Sequence, residues 1–255
     1  MLFRSCARVS ELAATGKPID ATGELLPGAI QRIPLAHPAI EVWLARLDLD
    51  ARQVGQCANL LSRDEQLRAE RYHFERDRRR FTVTRGILRT LLGAHLEMAP
   101  AAITFGYAEN GKPFIADHAS PIHFNASHAH ERALYAISKS CALGVDIEYL
   151  NRDIDTNGLA RRFFSPRECA GLKLIPEPAR KRAFFACWTR KEAVIKATGE
   201  GLALPLDQFE VTAAPDTAPQ ILDFTAATQQ IPGWILYTAD VGGDYVATVA
   251  ARRRK

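Results

Sequence analysis

Through Glu41 to Asp50 apolar and polar residues alternate (EVWLARLDLD), the period-two pattern of a strand with one face buried. From about Ser62 the period lengthens to that of a helix. Phe81, Leu88, Leu91, Leu92 and His95 recur on one face and Arg78, Arg85 and Arg89 on another, so one side is expected to pack and the other to present guanidinium groups. Asn110-Gly111 within ITFGYAENGKPFI predicts a tight hairpin with Lys112-Pro113 opening the returning strand. Strands follow at IHFNAS, RALYAIS and CALGVDIEYL; in the last, Asp146 and Glu148 stand two apart and so face one side.

Ser165-Pro166-Arg167-Glu168 carries the marks of a helix start: a capping serine, proline at the first helical position and an acid at the third. After Pro176 and Pro178 a longer helix runs to a stop at Gly199, and on it Trp188, Glu192 and Lys196 step by four along one face. The remainder reads as strands (QFEVTA, QILDF, GWILYTAD and DYVATVAA) with a basic tail from Arg252 to Lys255. The order of elements predicts an α+β chain of two similar halves: residues 39–130 and 131–255, preceded by a loosely ordered extension over residues 1–38.

Composition excludes several classes. At 255 residues with 47% hydrophobic and 24% charged positions, the chain can bury a sizeable core. No apolar run approaches the roughly 18 residues of a membrane span, and Arg4 and Arg8 interrupt any secretory leader. The five cysteines are scattered and never form CxxC, so a reducing cytoplasm is expected. The net charge of +4 is unevenly placed: residues 63–89 hold nine arginines against five acids, a surplus as large as the whole chain's. Such a stretch suits a phosphate-rich or acidic partner, or is simply a solvated helix. Few aromatic residues interleave with it and no docking motif is present, which disfavours nucleic acid.

Two constellations could carry chemistry. Asp146 and Glu148 from a strand, with Glu192 from a helix, would offer a magnesium ion three hard oxygen ligands, and Lys196 one turn further could meet phosphate. Equally, the two acids could sit on an exposed edge and Glu192 with Lys196 form an ordinary i, i+4 ion pair. In Asn125-Ala126-Ser127-His128, a hydroxyl, an imidazole and backbone N–H groups at a strand end could grip phosphate oxygens. The spacing of His118, His123, His128 and His130 fits no helix face and no cysteine lies near enough to complete a tetrahedral site, which disfavours zinc.

FNASH, GVDIE and FFACWTRKEAVIKATGEGL, in that order, resemble the signature blocks of the 4'-phosphopantetheinyl transferase superfamily, and the length and Trp188 resemble its large, Sfp-type branch. The resemblance implies two pseudo-symmetric α+β halves with the active site between them, in a monomer. It implies Mg2+-dependent transfer of 4'-phosphopantetheine from coenzyme A, the substrate, to a serine of an acidic apo carrier protein or domain, releasing 3',5'-ADP. Carriers of fatty-acid, polyketide and nonribosomal peptide synthesis all remain open. By the same resemblance Asp146, Glu148 and Glu192 would bind the metal. Lys196 would contact the diphosphate, and Lys112, Pro113, Ser127, His128, Arg80 and Arg85 would hold coenzyme A. Glu192, or a metal-bound water it orients, would be the base. The competing readings are a phosphate- or nucleic-acid-binding module using the Arg63 to Arg89 face, and a relative that binds carriers without turnover.

Overall fold

The computed structural model describes residues 28–116, 122–201, 204–214, 216–225 and 232–252. The predicted N-terminal extension lies mostly outside them, as does His118.

The first half is an antiparallel sheet, in the order β1-β2-β6-β5, built from β1 (Ile30–Ile33), β2 (Glu41–Arg46), β5 (His123–Ala129) and β6 (Arg132–Ser138). Two short helices, α1 (Ala51–Ala58) and α2 (Arg63–Glu70), precede the 22-residue α3 (Glu75–Leu96), and the hairpin of β3 (Phe105–Tyr107) and β4 (Pro113–Ile115) follows. The second half repeats the plan. A sheet in the order β10-β11-β7, made of β7 (Leu143–Tyr149), β10 (Trp234–Thr238) and β11 (Tyr245–Arg252), is covered by another 22-residue helix, α6 (Glu177–Thr198). Helices α4 (Thr156–Phe163) and α5 (Pro166–Leu174) and a small pair, β8 (Phe209–Val211) and β9 (Ile221–Phe224), complete it. The result is the α+β architecture of two alike halves, helix over sheet against sheet under helix.

Side-chain alternation explains the layering. In β2, Val42 and Leu44 enter a core shared with Leu134, Val145 and Val249, while Trp43 and Ala45 enter another with Val83, Ile87 and Leu91 of α3. The strand expected to be half-buried is therefore covered on both faces. In β7, Leu143, Val145 and Ile147 line the core between the sheets. That leaves Gly144, Asp146 and Glu148 on the opposite side, under α6, where Gly144 meets the backbone of Ala193 and Ala197.

Three expectations need correction. Residues 30–33, placed in the loose extension, form β1, with Ile30 and Ile33 buried and paired to Ala45 and Val42; the pattern of two buried ends flanking two exposed residues has no period of two. Residue 130 does not divide the halves, because β5 and β6 pair as one hairpin of the first sheet, so the division falls between Ser138 and Leu143. The arginine-rich helix is interrupted: Phe74 is extended (φ −93°, ψ 132°), and the chain turns to lay α2 against α3.

That turn buries Glu65 against the arginines. Its carboxylate accepts from Arg89 Nε at 2.6 Å and Arg85 Nε at 2.7 Å, and Glu65 and Arg89 are each 1% exposed. Arg89 also donates to the carbonyls of Pro100 and Ile103, and both guanidiniums stack on Phe105. The face read as guanidiniums offered to a ligand is, at Arg85 and Arg89, an internal ion cluster with its hydrogen bonds met.

The capping signals hold. Ser165 Oγ accepts from Glu168 N while the Glu168 carboxylate accepts from Ser165 N, and Gly199 ends α6 in the left-handed region at φ 78°. Ser165→Ala is expected to lower unfolding free energy by about 1 kcal/mol, read from urea denaturation; an unchanged midpoint would remove the cap from the account.

Candidate active site

Where the two halves meet, three side chains from separate elements share hydrogen bonds. Ser127 on β5 donates to Asp146 Oδ1 on β7 at 2.9 Å. Lys196, in the last turn of α6, donates to the same Oδ1 at 2.6 Å and to Ser127 Oγ at 3.0 Å. Asp146 is 4% exposed and its Oδ2 is buried without a hydrogen-bond partner. A lone buried carboxylate oxygen is costly unless something else satisfies it.

Glu148 and Glu192 complete the acidic group. Burial raises the Glu192 carboxyl above the usual range, and the charges of Asp146 and Glu148 push it further, against the pull of Lys196. Burial and Asp146 likewise raise Glu148, partly countered by Arg152, whose Nη1 lies 2.6 Å from its Oε2. The elements therefore do meet: β7 is an edge strand, yet its acids are not left in open solvent, and Lys196 pairs with Asp146 rather than with Glu192, leaving mutually repelling carboxylates beside one lysine. Among the described residues, no three His, Cys, Asp or Glu side chains are drawn together tightly enough to form a ready metal cage. Trp188 turns out to be an anchor, its ring packed on Phe163, Phe164 and Phe184.

Beside the carboxylates opens a cleft of about 280 Å3 whose walls include Arg80, His128, Glu148 and Tyr72. Arg80 is held at its edge by Asp48, with Nε to Oδ1 at 3.3 Å. The His128 side chain reaches solvent, yet surrounding atoms displace much of its hydration. That desolvation, with the cations Lys196 and Arg80, keeps its pKa below the ordinary value despite Asp146 and Asp77. A second opening of about 600 Å3 shares Tyr72 and is lined by Arg68, Arg71 and Tyr107. These two arginines, with Arg80, are the cationic side chains of the arginine-rich stretch that line the clefts.

Two expected ligand contacts sit elsewhere. Arg85 is engaged by Glu65 and by the Tyr107 hydroxyl at 3.2 Å, and it lines neither cleft. Lys112 points its ammonium at the carbonyl of Lys196, 2.5 Å away, at the C-terminal end of α6; Pro113 begins β4 opposite Tyr107. Sequence reasoning missed Arg152 and Tyr72. Nothing in their local pattern marks them, since each matters only through a partner brought near by the fold.

No helix among the described residues is long and apolar enough to cross a membrane. Comparison with known proteins agrees with the division into halves. Residues 50–140 match the family model described as 4'-phosphopantetheinyl transferase, N-terminal, and residues 142–250 match that of the 4'-phosphopantetheinyl transferase superfamily. The 4'-phosphopantetheinyl transferase HetI of Nostoc sp. is 39% identical over 220 residues, covering 86% of this chain and 90% of that protein. A 4'-phosphopantetheinyl transferase of Bacillus subtilis is 33% identical over 169 residues, covering 66% of this chain and 73% of its own length. Matches that run through both halves, and through the Ser127, Asp146 and Lys196 segments that join them, are sufficient: the chain belongs to the 4'-phosphopantetheinyl transferase superfamily.

Proposed function

We propose that the protein transfers the 4'-phosphopantetheine group of coenzyme A to a serine of an apo carrier protein, releasing 3',5'-ADP, with Asp146, Glu148 and Glu192 holding Mg2+. The observation that carries this reading is the junction of Ser127, Asp146 and Lys196 beside a cleft lined by Arg80 and His128, an anion-binding wall next to an acidic group. The donor chemistry suits a hard divalent cation, although the three carboxylates would have to draw closer to enclose it. Asp146 Oδ2 is buried and unpartnered, and the charge of Asp146 raises both Glu148 and Glu192, a repulsion that a dication would relieve. Bound there, Mg2+ would supply charge neutralisation for the diphosphate.

The chain's own groups have separable tasks. Lys196, fixed by Asp146 and Ser127, presents a positive charge beside the acids, which suits it to the transferring phosphate if the diphosphate reaches them. Arg80 and His128 bind and orient the nucleotide side, with Arg68 and Arg71 within the adjoining opening. Glu192, on the α6 face that also carries Lys196, is the group placed to take the proton of the attacking serine. The attacking hydroxyl belongs to the partner, so catalysis here is mainly positioning and electrostatics.

Incubation of a panel of apo carrier proteins with the protein, coenzyme A and MgCl2 should add one phosphopantetheine to at least one carrier by intact mass, and excess EDTA should abolish the addition. Unmodified carriers throughout would reject the transferase reading, and full modification in EDTA would reject the metal. Binding of short nucleic acids without any carrier modification would favour the module reading instead.

A further inference from the structure

The β3-β4 hairpin belongs to the first half, yet its tip rests on the end of the second half's long helix. Gly111 turns the chain at φ 80°, and Asn110 Oδ1 accepts from Lys112 N at 3.0 Å, which fixes the direction in which the lysine leaves the turn. The absence of a side chain at Gly201 eases this approach: a Cβ there would stand 3.3 Å from Asn110 Cβ. From there Lys112 Nζ reaches three main-chain oxygens, those of Lys196 at 2.5 Å, Leu143 at 3.4 Å and Ala197 at 3.5 Å.

An ammonium has three hydrogens, and here three carbonyls face it. Two of these carbonyls lie in the last turn of α6, where main-chain oxygens lack intrahelical partners and the helix dipole is negative. The third opens β7, three residues before Asp146. Burial pushes the Lys112 pKa down to about 8, as befits a cation held away from bulk water.

We propose that Lys112 is a positioning residue that pins the end of α6 to the start of β7 and so sets the Lys196 to Asp146 distance, and that its ammonium does not bind coenzyme A. The hairpin of one half thereby fixes the geometry of acids and lysine in the other. The inference rests on the transferase reading for its kinetic test, but its structural consequence can be measured without turnover.

The test uses the full chain with Lys112→Met and Lys112→Arg. In steady-state transfer to a carrier, Lys112→Met should lower kcat by about 10- to 100-fold, the scale of a misplaced catalytic group, with KM for coenzyme A changed less than about threefold. Lys112→Arg, which can still donate to carbonyls, should recover most of kcat. In parallel, hydrogen exchange of the peptide covering residues 190–201 should quicken in Lys112→Met and return toward wild type in Lys112→Arg. A rise in KM for coenzyme A with kcat preserved would overturn the proposal by making Lys112 a ligand contact, and so would unchanged exchange with unchanged kinetics. If Lys112→Met fails to fold, Lys112→Gln takes its place, with the same two outcomes read on it. Wild-type protein inactive on every carrier would refute the transferase reading alone, since the exchange comparison would still decide whether Lys112 holds the helix.

Discussion

Asp146→Asn is expected to lower phosphopantetheine transfer by about 10²- to 10³-fold while leaving the fold intact. The carboxylate is the hinge of the site. Its Oδ1 accepts from both Lys196 and Ser127, and its Oδ2 is the buried oxygen without a partner. An amide of the same shape loses the charge that holds the Lys196 ammonium and offers a poorer ligand to a cation. Two effects on stability oppose each other. The ion pair with Lys196 is lost, yet Glu148 and Glu192, both raised by the charge of Asp146, are relieved of repulsion. The melting temperature should therefore move far less than the rate, and any stabilisation of the wild type by MgCl2 should vanish in the variant. Retention of more than a tenth of wild-type kcat would remove Asp146 from the centre of the mechanism.

Gly144→Ala should be nearly as damaging to activity, by a different route. An added Cβ would stand 2.3 Å from the Ala193 carbonyl oxygen and 2.3 Å from Ala197 N. Both are main-chain atoms of α6, so no side chain can swing away and the helix itself must move off β7. Overpacking of this kind costs about 1 to 3 kcal/mol, or several degrees in melting temperature for a chain of this size. The larger effect is on geometry, because α6 carries Glu192 and Lys196 while β7 carries Asp146 and Glu148. A shift of about 1 Å is enough for a loss on the order of 10²-fold in kcat. Normal turnover with a normal melting curve would show that the helix can retreat without opening the site.

Much of this arrangement is legible in the chain because it is written in local periodicity. The step of two along β7 puts Asp146 and Glu148 on one side, the step of four puts Glu192 and Lys196 on one face of α6, and Asn110-Gly111, Ser165 and Gly199 mark a turn and two helix ends. Local pattern is silent on which faces are brought together. Glu65 neutralises Arg85 and Arg89 from 20 and 24 positions away, so the face they share with Arg78 looks available to a ligand until the chain is folded. Lys112 meets Lys196 O across 84 positions, and a motif that places it near coenzyme A says nothing of that carbonyl. β1 is hard to read for another reason: its four residues are buried only at their two ends, a pattern with no period of two.

The adjacent pair Lys191-Glu192 divides its labour. Lys191 is fully buried, donates to the carbonyls of Leu206 and Phe209 and lies 2.8 Å from Glu168 Oε2, tying α6 to α5 and to the approach of β8. Glu192, one residue on, belongs to the acidic group under that helix. The two letters of one motif thus stand under different constraints, one set by packing and one by the proposed chemistry. In a descendant of this chain that had abandoned catalysis, drift would be free to change position 192 while position 191 stayed lysine. Intactness of the lysine alone would say nothing about whether such a protein still works.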